Sequence, residues 1–90
     1  MKKQIAILGS TGSIGTQALQ VIDEHPDLFE AYCLTANNKV KELAEQARRY
    51  NPAAVVIANE DKYEELKSLL ADLPDIKVYA GKQAIDEIVE

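Results

Sequence analysis

The sequence has little of what several protein classes depend on. It holds one cysteine, Cys33, in 90 residues, so no internal disulfide can form, and a reducing, cytoplasmic setting is expected. There is one histidine, His25, and no tryptophan, and no Ser-His-Asp constellation is readable. Lys and Arg number 10 against 15 Asp and Glu, a formal charge of −5. With no basic cluster to displace phosphate counterions, a nucleic-acid partner is excluded. The longest apolar runs are of strand length, far short of a bilayer span, so no membrane partner is expected. The opening Met1-Lys2-Lys3-Gln4 leads straight into a strand and does not fit a signal peptide. Ninety residues allow one small domain with a modest core. An apolar fraction of 47% with 28% charged residues is that of a globular, ordered chain.

Along the chain, β and α patterns alternate. Residues 4–8 read as a strand, with Ile5, Ala6, Ile7 and Leu8 continuously apolar, as suits a central parallel strand covered on both faces. A helix then runs to about Glu24, with Ile14, Ala18, Val21 and Ile22 on one face. His25-Pro26 ends it, because proline disfavours helix in the preceding residue. Residues 30–36 form a second strand, and Asn38 is placed to cap a second helix whose stripe is Val40, Leu43, Ala44 and Ala47. Asn51-Pro52 stops that helix. Residues 53–58 are a third strand. Asn59 or Asp61 caps a third helix with Leu66, Leu69, Leu70 and Leu73 inward. Residues 76–80 make a fourth strand, and a last helix after Gly81 carries Ala84, Ile85, Ile88 and Val89.

Strands alternating with helices indicate an α/β fold, a parallel sheet with helices on its faces. The fourth strand alternates Ile76, Val78 and Ala80 with Lys77 and Tyr79, which marks it as an edge. The favoured spatial order is therefore 4-3-2-1, with 3-2-1-4 close behind. Under 4-3-2-1 the first strand has a bare edge, and the switch point that forms a cofactor crevice needs a later strand. The sequence stops at Glu90 inside an apparent helix, so residues 1–90 read as the N-terminal part of a Rossmann-type, three-layer dinucleotide-binding domain, incomplete after four β-α units.

The strongest chemical signal lies in the first β-α turn. Three of the four glycines fall in Gly9-Ser10-Thr11-Gly12-Ser13-Ile14-Gly15, after a buried strand and at the start of a helix, the context this motif requires. Glycines let the backbone turn tightly and approach a diphosphate. The free N–H groups and the dipole at the helix start then meet its charge, with Ser10, Thr11 and Ser13 as further donors. A plain tight turn would also use glycines. The agreement of strand, turn and helix favours the phosphate reading.

The end of the second strand qualifies the cofactor. NAD-preferring domains place Asp or Glu there, about 20 residues after the glycines, on the ribose 2′-hydroxyl. This chain has Thr35-Ala36-Asn37-Asn38-Lys39 and no carboxylate. Asn37 and Asn38 can donate hydrogen bonds and Lys39 can pair with a 2′-phosphate, which favours NADP. The bland alternative is that Asn38 only caps a helix and Lys39 is solvated.

Other features carry less. Tyr63 and Lys67 match the Tyr-x-x-x-Lys pair of short-chain dehydrogenases, but on the third helix, ahead of where that pair belongs. Cys33 reads as a small buried apolar residue. His25 suits a helix carboxyl end. Glu60, Asp61, Glu64 and Glu65 read as an acidic first turn rather than metal ligands.

The run Lys3-Gln-Ile-Ala-Ile-Leu-Gly-Ser-Thr-Gly-Ser-Ile-Gly15 resembles the amino terminus of the 1-deoxy-D-xylulose 5-phosphate reductoisomerase family. The likeness continues through Leu19, Val21, Ile22, His25-Pro26, Phe29, Leu34 and Ala36 to Asn51-Pro52. It implies an NADPH-dependent enzyme that also needs a divalent metal, Mg or Mn, and serves non-mevalonate isoprenoid biosynthesis. Such enzymes rearrange the phosphosugar 1-deoxy-D-xylulose 5-phosphate, then reduce the product to 2-C-methyl-D-erythritol 4-phosphate, and a homodimer is implied. By position, the family's NADPH contacts carry over to Thr11, Gly12, Ser13 and Ile14, and to Asn37, Asn38 and Lys39. The family often has Gly-basic-Asn at the latter three, so the positive charge is displaced here. Its metal and substrate ligands and its active-site loop would lie beyond Glu90, leaving no catalytic residue in this chain. Two other readings stand beside it: a semialdehyde dehydrogenase-like NADP reductase with the same glycine spacing, and a non-enzymatic nucleotide-sensing module.

Overall fold

A computed structural model of the chain describes residues 2–81 and 83–84. Four strands, β1 (Lys3–Ile7), β2 (Phe29–Ala36), β3 (Ala54–Ile57) and β4 (Lys77–Ala80), form one sheet in the order β1-β2-β3-β4, every pair parallel. This is the favoured 4-3-2-1 order. Between them run α1 (Ser13–Glu24), α2 (Val40–Tyr50) and, after a 3₁₀ turn (Glu60–Lys62), α3 (Tyr63–Leu69).

A right-handed crossover taken three times in the same direction puts all three connecting helices on one face of the sheet. The core follows that rule. Leu19 and Ile22 from α1, Val40, Leu43, Ala44 and Ala47 from α2, and Leu66 from α3 pack with Ile7, Leu34, Ala36, Val55 and Ile57 in a single cluster. The opposite face holds Cys33, Ala54 and Val56, against which Ala84 packs. The chain thus crosses to the second helical layer only after β4. The rest of the last predicted helix, Ile85, Ile88 and Val89, lies outside the described residues.

The register of β2 to β1 shifts along the strand: Ile5 pairs with Ala31, and the next residue, Ala6, pairs with Cys33. One extra residue changes the side-chain parity. Ala31 thereby shares the main core with Leu34 and Ala36, while Cys33 faces the other side.

Several expected contacts are corrected. β1 begins with Lys3 and Gln4 and is not covered on both faces: among the described residues it pairs only with β2, and only Ile7 of the strand is buried while Leu8, just after it, is exposed. The buried stripe of α1 is Gly15, Leu19 and Ile22, so Ile22 lies inward as predicted, with Ala18 packed partly buried against the core. Ile14 and Val21 face solvent. On α3, Leu66 and Leu70 point inward and Leu69 outward. Asn38 does not cap α2, since the cap position is Lys39 and no side chain bonds there. Asn59 caps the 3₁₀ turn that leads into α3, accepting from the Asp61 amide at 3.0 Å, while the cap position of α3 itself is Lys62, with no side-chain bond. Other boundaries behave as the sequence suggests. α1 ends at Glu24 with His25 as its cap, and Asn51 closes α2 in the left-handed conformation, φ 49°, which asparagine tolerates better than most residues.

Candidate functional site

The glycine turn leaves the carboxyl end of β1 and is tied to the next strand before it enters α1. Gly9 has φ +68°, a conformation that costs any residue with a Cβ. Its amide donates to Thr35 Oγ1 at 2.9 Å, and the Ser10 amide donates to the Thr35 carbonyl at 2.8 Å. The Gly12 amide closes the turn on the Gly9 carbonyl at 2.9 Å, and Thr16 N–H then makes the first helical bond to the Gly12 carbonyl. Gly12 occupies the N-cap position in extended backbone and supplies no side chain to cap the helix.

The amides that remain are those of Thr11, Ser13, Ile14 and Gly15, which make no backbone hydrogen bond among the described residues. Ser13 and Ile14 are exposed. Unused N–H groups at the start of a helix, together with its dipole, attract an anion. The open side of this turn can therefore hold a phosphate.

The three glycines serve different ends. A Cβ on Gly15 would lie 2.3 Å from the Gly9 carbonyl oxygen and 2.6 Å from Ser10 Cα, so α1 packs against the turn at a distance only glycine permits. A Cβ on Gly12 would meet only the Gly9 oxygen, at 3.4 Å, and its φ of −82° suits any residue.

Ser10 is placed differently from the sequence expectation. It is fully buried, and its hydroxyl donates to Gln46 Oε1 at 2.6 Å while Gln46 Nε2 donates back to the Ser10 carbonyl at 2.9 Å. Its hydroxyl faces α2, whereas Thr11 is half-buried and Ser13 exposed. Thr35 and Gln46 were not singled out from the sequence. In sequence, Thr35 is simply part of a strand, and Gln46 is a polar residue within a helix. The one available sign was a polar residue between Leu43 and Ala47 on an otherwise apolar face.

The second predicted group lies at the adjoining strand ends. Asn37, Asn38 and Lys39 are all exposed after β2. Asn59, at the end of β3, joins them: its amide N–H donates to the Asn37 carbonyl at 3.0 Å, and its Nδ2 donates to Asn38 Oδ1 at 2.7 Å. Asn37, Asn38, Ala58 and Asn59 line a shallow depression of about 300 Å³. Both groups thus sit at the carboxyl ends of neighbouring parallel strands, where open α/β sheets bind ligands.

The residues set aside stay aside. Cys33 is fully buried, and burial pushes its thiol up to about 11. Lys67 Nζ rests 5.7 Å from the centre of the Tyr63 ring, a cation–π contact on α3 away from the glycine turn. His25 packs edge-on to Phe29, the ring centres 6.4 Å apart. Among the described residues no three His, Cys, Asp or Glu side chains converge on a metal position, and no helix is long and apolar enough to cross a membrane.

Comparison with known proteins places this geometry. Residues 5–90 match the sequence model of a family described as 1-deoxy-D-xylulose 5-phosphate reductoisomerase. The chain is similar to the reductoisomerase of Phocaeicola vulgatus, 72% identical over 90 residues, which are all of this chain and 23% of that protein. It is equally similar to that of Bacteroides thetaiotaomicron, 72% identical over 89 residues, or 99% of this chain and 23% of that protein. Among solved structures, the Zymomonas mobilis reductoisomerase in complex with NADPH superposes with a TM-score of 0.90 at 38% identity, over 97% of this chain and 23% of that one. A reductoisomerase in complex with NADPH, fosmidomycin and magnesium superposes with a TM-score of 0.89 at 31% identity, over 96% and 21%. The chain thus spans about a quarter of the length of these relatives.

Proposed function

The chain belongs to the 1-deoxy-D-xylulose 5-phosphate reductoisomerase family, and on that premise we propose that it is the N-terminal part of an NADPH-binding domain in such an enzyme. The observation that carries the reading is Gly12. Nothing inside the protein demands a glycine there, since its φ is ordinary and a Cβ would meet only one atom, at 3.4 Å. The space a side chain would take is reserved for something that approaches from outside, against the unused amides of Thr11, Ser13 and Ile14. A diphosphate fits that demand in charge and in its need for close backbone approach.

In this reading the turn from Gly9 to Ile14 holds the diphosphate. The amides of Thr11, Ser13 and Ile14 and the hydroxyls of Thr11 and Ser13 donate to it, and the exposed Ile14 side chain gives the cofactor an apolar wall. Ser10 acts from behind through its backbone. Asn37, Asn38 and Lys39 receive the adenosine 2′-phosphate, with Asn59 holding Asn38 in place. Bound NADPH supplies the hydride that reduces the rearranged aldehyde. This segment contributes no catalytic group and no metal ligand. The phosphosugar substrate and the divalent metal belong with the rest of the full-length enzyme, a cytoplasmic homodimer in this proposal. Family membership leaves the semialdehyde dehydrogenase-like reading without support.

Calorimetric titration of the full-length protein with NADPH and NADH tests the assignment. NADPH is expected to bind the more tightly. Lys39→Ala should lower NADPH affinity about tenfold, the worth of one charge-assisted contact, and leave NADH unchanged. Equal affinity of the wild type for the two cofactors would refute the role given to Asn37, Asn38 and Lys39.

A further inference from the structure

Gln46 projects from α2 at the margin of the core, half-buried, between Leu43 and Ala47. A half-buried amide costs stability unless both its ends are bonded. Here both ends bond a single residue of the glycine turn, with Nε2 on the Ser10 carbonyl and Oε1 on the Ser10 hydroxyl. Chemistry fixes the orientation of the amide. A carbonyl can only accept, so the nitrogen must face it, and the hydroxyl must then donate to the oxygen.

Pinning the Ser10 carbonyl sets more than one atom. The peptide group is planar and trans, so the carbonyl of one residue and the N–H of the next point in opposite directions. Drawing the Ser10 oxygen toward α2 therefore turns the Thr11 N–H away from it, to the open side of the turn. The neighbouring groups are held in the opposite sense, with the Gly9 and Ser10 amides pulled inward to Thr35. The turn sorts its amides, and the sorting is done by the hydroxyl and main-chain carbonyl of Thr35 on β2 and by the Gln46 side chain of α2.

We propose that Gln46 is a positioning residue for the cofactor: it locks the Ser10–Thr11 peptide plane so that the Thr11 amide faces the diphosphate. The inference rests on the NADPH reading above, and its test separates the two. Wild-type full-length enzyme and the variants Gln46→Leu and Ser10→Ala are titrated with NADPH, and steady-state kinetics are measured with both substrates. Gln46→Leu, which can neither donate nor accept, should raise the NADPH Kd and KM about tenfold, as expected for two lost hydrogen bonds. Its kcat at saturating NADPH and its KM for the phosphosugar should stay within about twofold. Ser10→Ala keeps the bond from Nε2 to the carbonyl and should weaken NADPH binding by no more than about threefold. If Gln46→Leu does not fold, Gln46→Met carries the same expectation. An unchanged NADPH Kd in a folded Gln46 variant overturns the positioning role, as does a loss spread equally over kcat and both KM values. Failure of the wild type to bind NADPH instead overturns the cofactor reading itself.

Discussion

Substituting each glycine of the turn by alanine should give three different outcomes, because the three positions are glycine for three different reasons. At Gly15 the new Cβ would sit 2.3 Å from one backbone atom and 2.6 Å from another. Neither can rotate away, so α1 must shift by roughly 1 Å to restore ordinary contact. Overpacking of this kind costs about 1–3 kcal/mol. The better helix propensity of alanine returns at most about 1 kcal/mol, which, returned in full, leaves a net loss of about 0–2 kcal/mol. At Gly9 no atom lies within 4 Å of the new Cβ, and the cost is conformational alone, about 1–2 kcal/mol for a φ of +68°. At Gly12 the backbone is ordinary and the nearest contact is 3.4 Å, so the folded state should lose only a few tenths to about 1 kcal/mol as a cap change. Denaturant unfolding of the apo protein and NADPH titration read the two effects separately. Gly12→Ala should be nearly as stable as the wild type yet bind NADPH at least about tenfold more weakly, since its methyl occupies the approach to the diphosphate. Gly15→Ala should lose both stability and affinity. Gly12→Ala with full NADPH affinity, or as unstable as Gly15→Ala, would refute the division of labour drawn from the geometry.

Two further outcomes follow from burial. The Cys33 thiol should resist alkylation at pH 8 in the native protein and react on unfolding. Its folded pKa of about 11 lies above the unfolded value of 9.0, so stability present below pH 9 should decline toward pH 11 as the unfolded thiol ionises first, and Cys33→Ala should flatten that decline in pH-dependent unfolding. Ile14→Ala, at an 83% exposed position, should leave stability unchanged and weaken NADPH binding. Leu34→Ala, at a fully buried position, should cost about 2–5 kcal/mol. The same loss at both sites in thermal unfolding would contradict the assignment of Ile14 to the ligand side.

Element order and sheet order were legible in the sequence because the first three strands are built around short apolar runs and the first two helices end at breakers. His25-Pro26 and Asn51-Pro52 mark the ends of α1 and α2. The alternation of Lys77, Val78, Tyr79 and Ala80 identified β4 as an edge, and it pairs with β3 alone. The α1 stripe was misread because Ile14 and Val21 are apolar yet exposed, while the position that packs closest to the turn is a glycine, which hydrophobic periodicity does not count. The same blindness hid the role of Ser10. A serine in a glycine-rich turn suggests a phosphate donor, and only the placement of Gln46, 36 residues later, shows the hydroxyl bonded inward. Contacts between elements distant in sequence leave no local pattern to read.

The topology also accounts for which half of a dinucleotide this chain can meet. Ligand crevices in open parallel sheets form where strand order reverses. Among the described residues the order advances from β1 to β4 without reversal, so in the proposed NADPH reading the crevice would open at the edge of β1. The glycine turn leaves β1 on that edge, and the Asn37–Asn38 group lies one strand inward, after β2. A dinucleotide with its diphosphate at the turn and its 2′-phosphate at Asn37–Lys39 would lie with its adenosine over β2 and its nicotinamide extended past β1. Leu8, just after β1, and Ile14, in the first turn of α1, are both exposed. Their apolar exposure, which would be a liability on a finished surface, is what a nicotinamide wall and a neighbouring strand of the same sheet would cover.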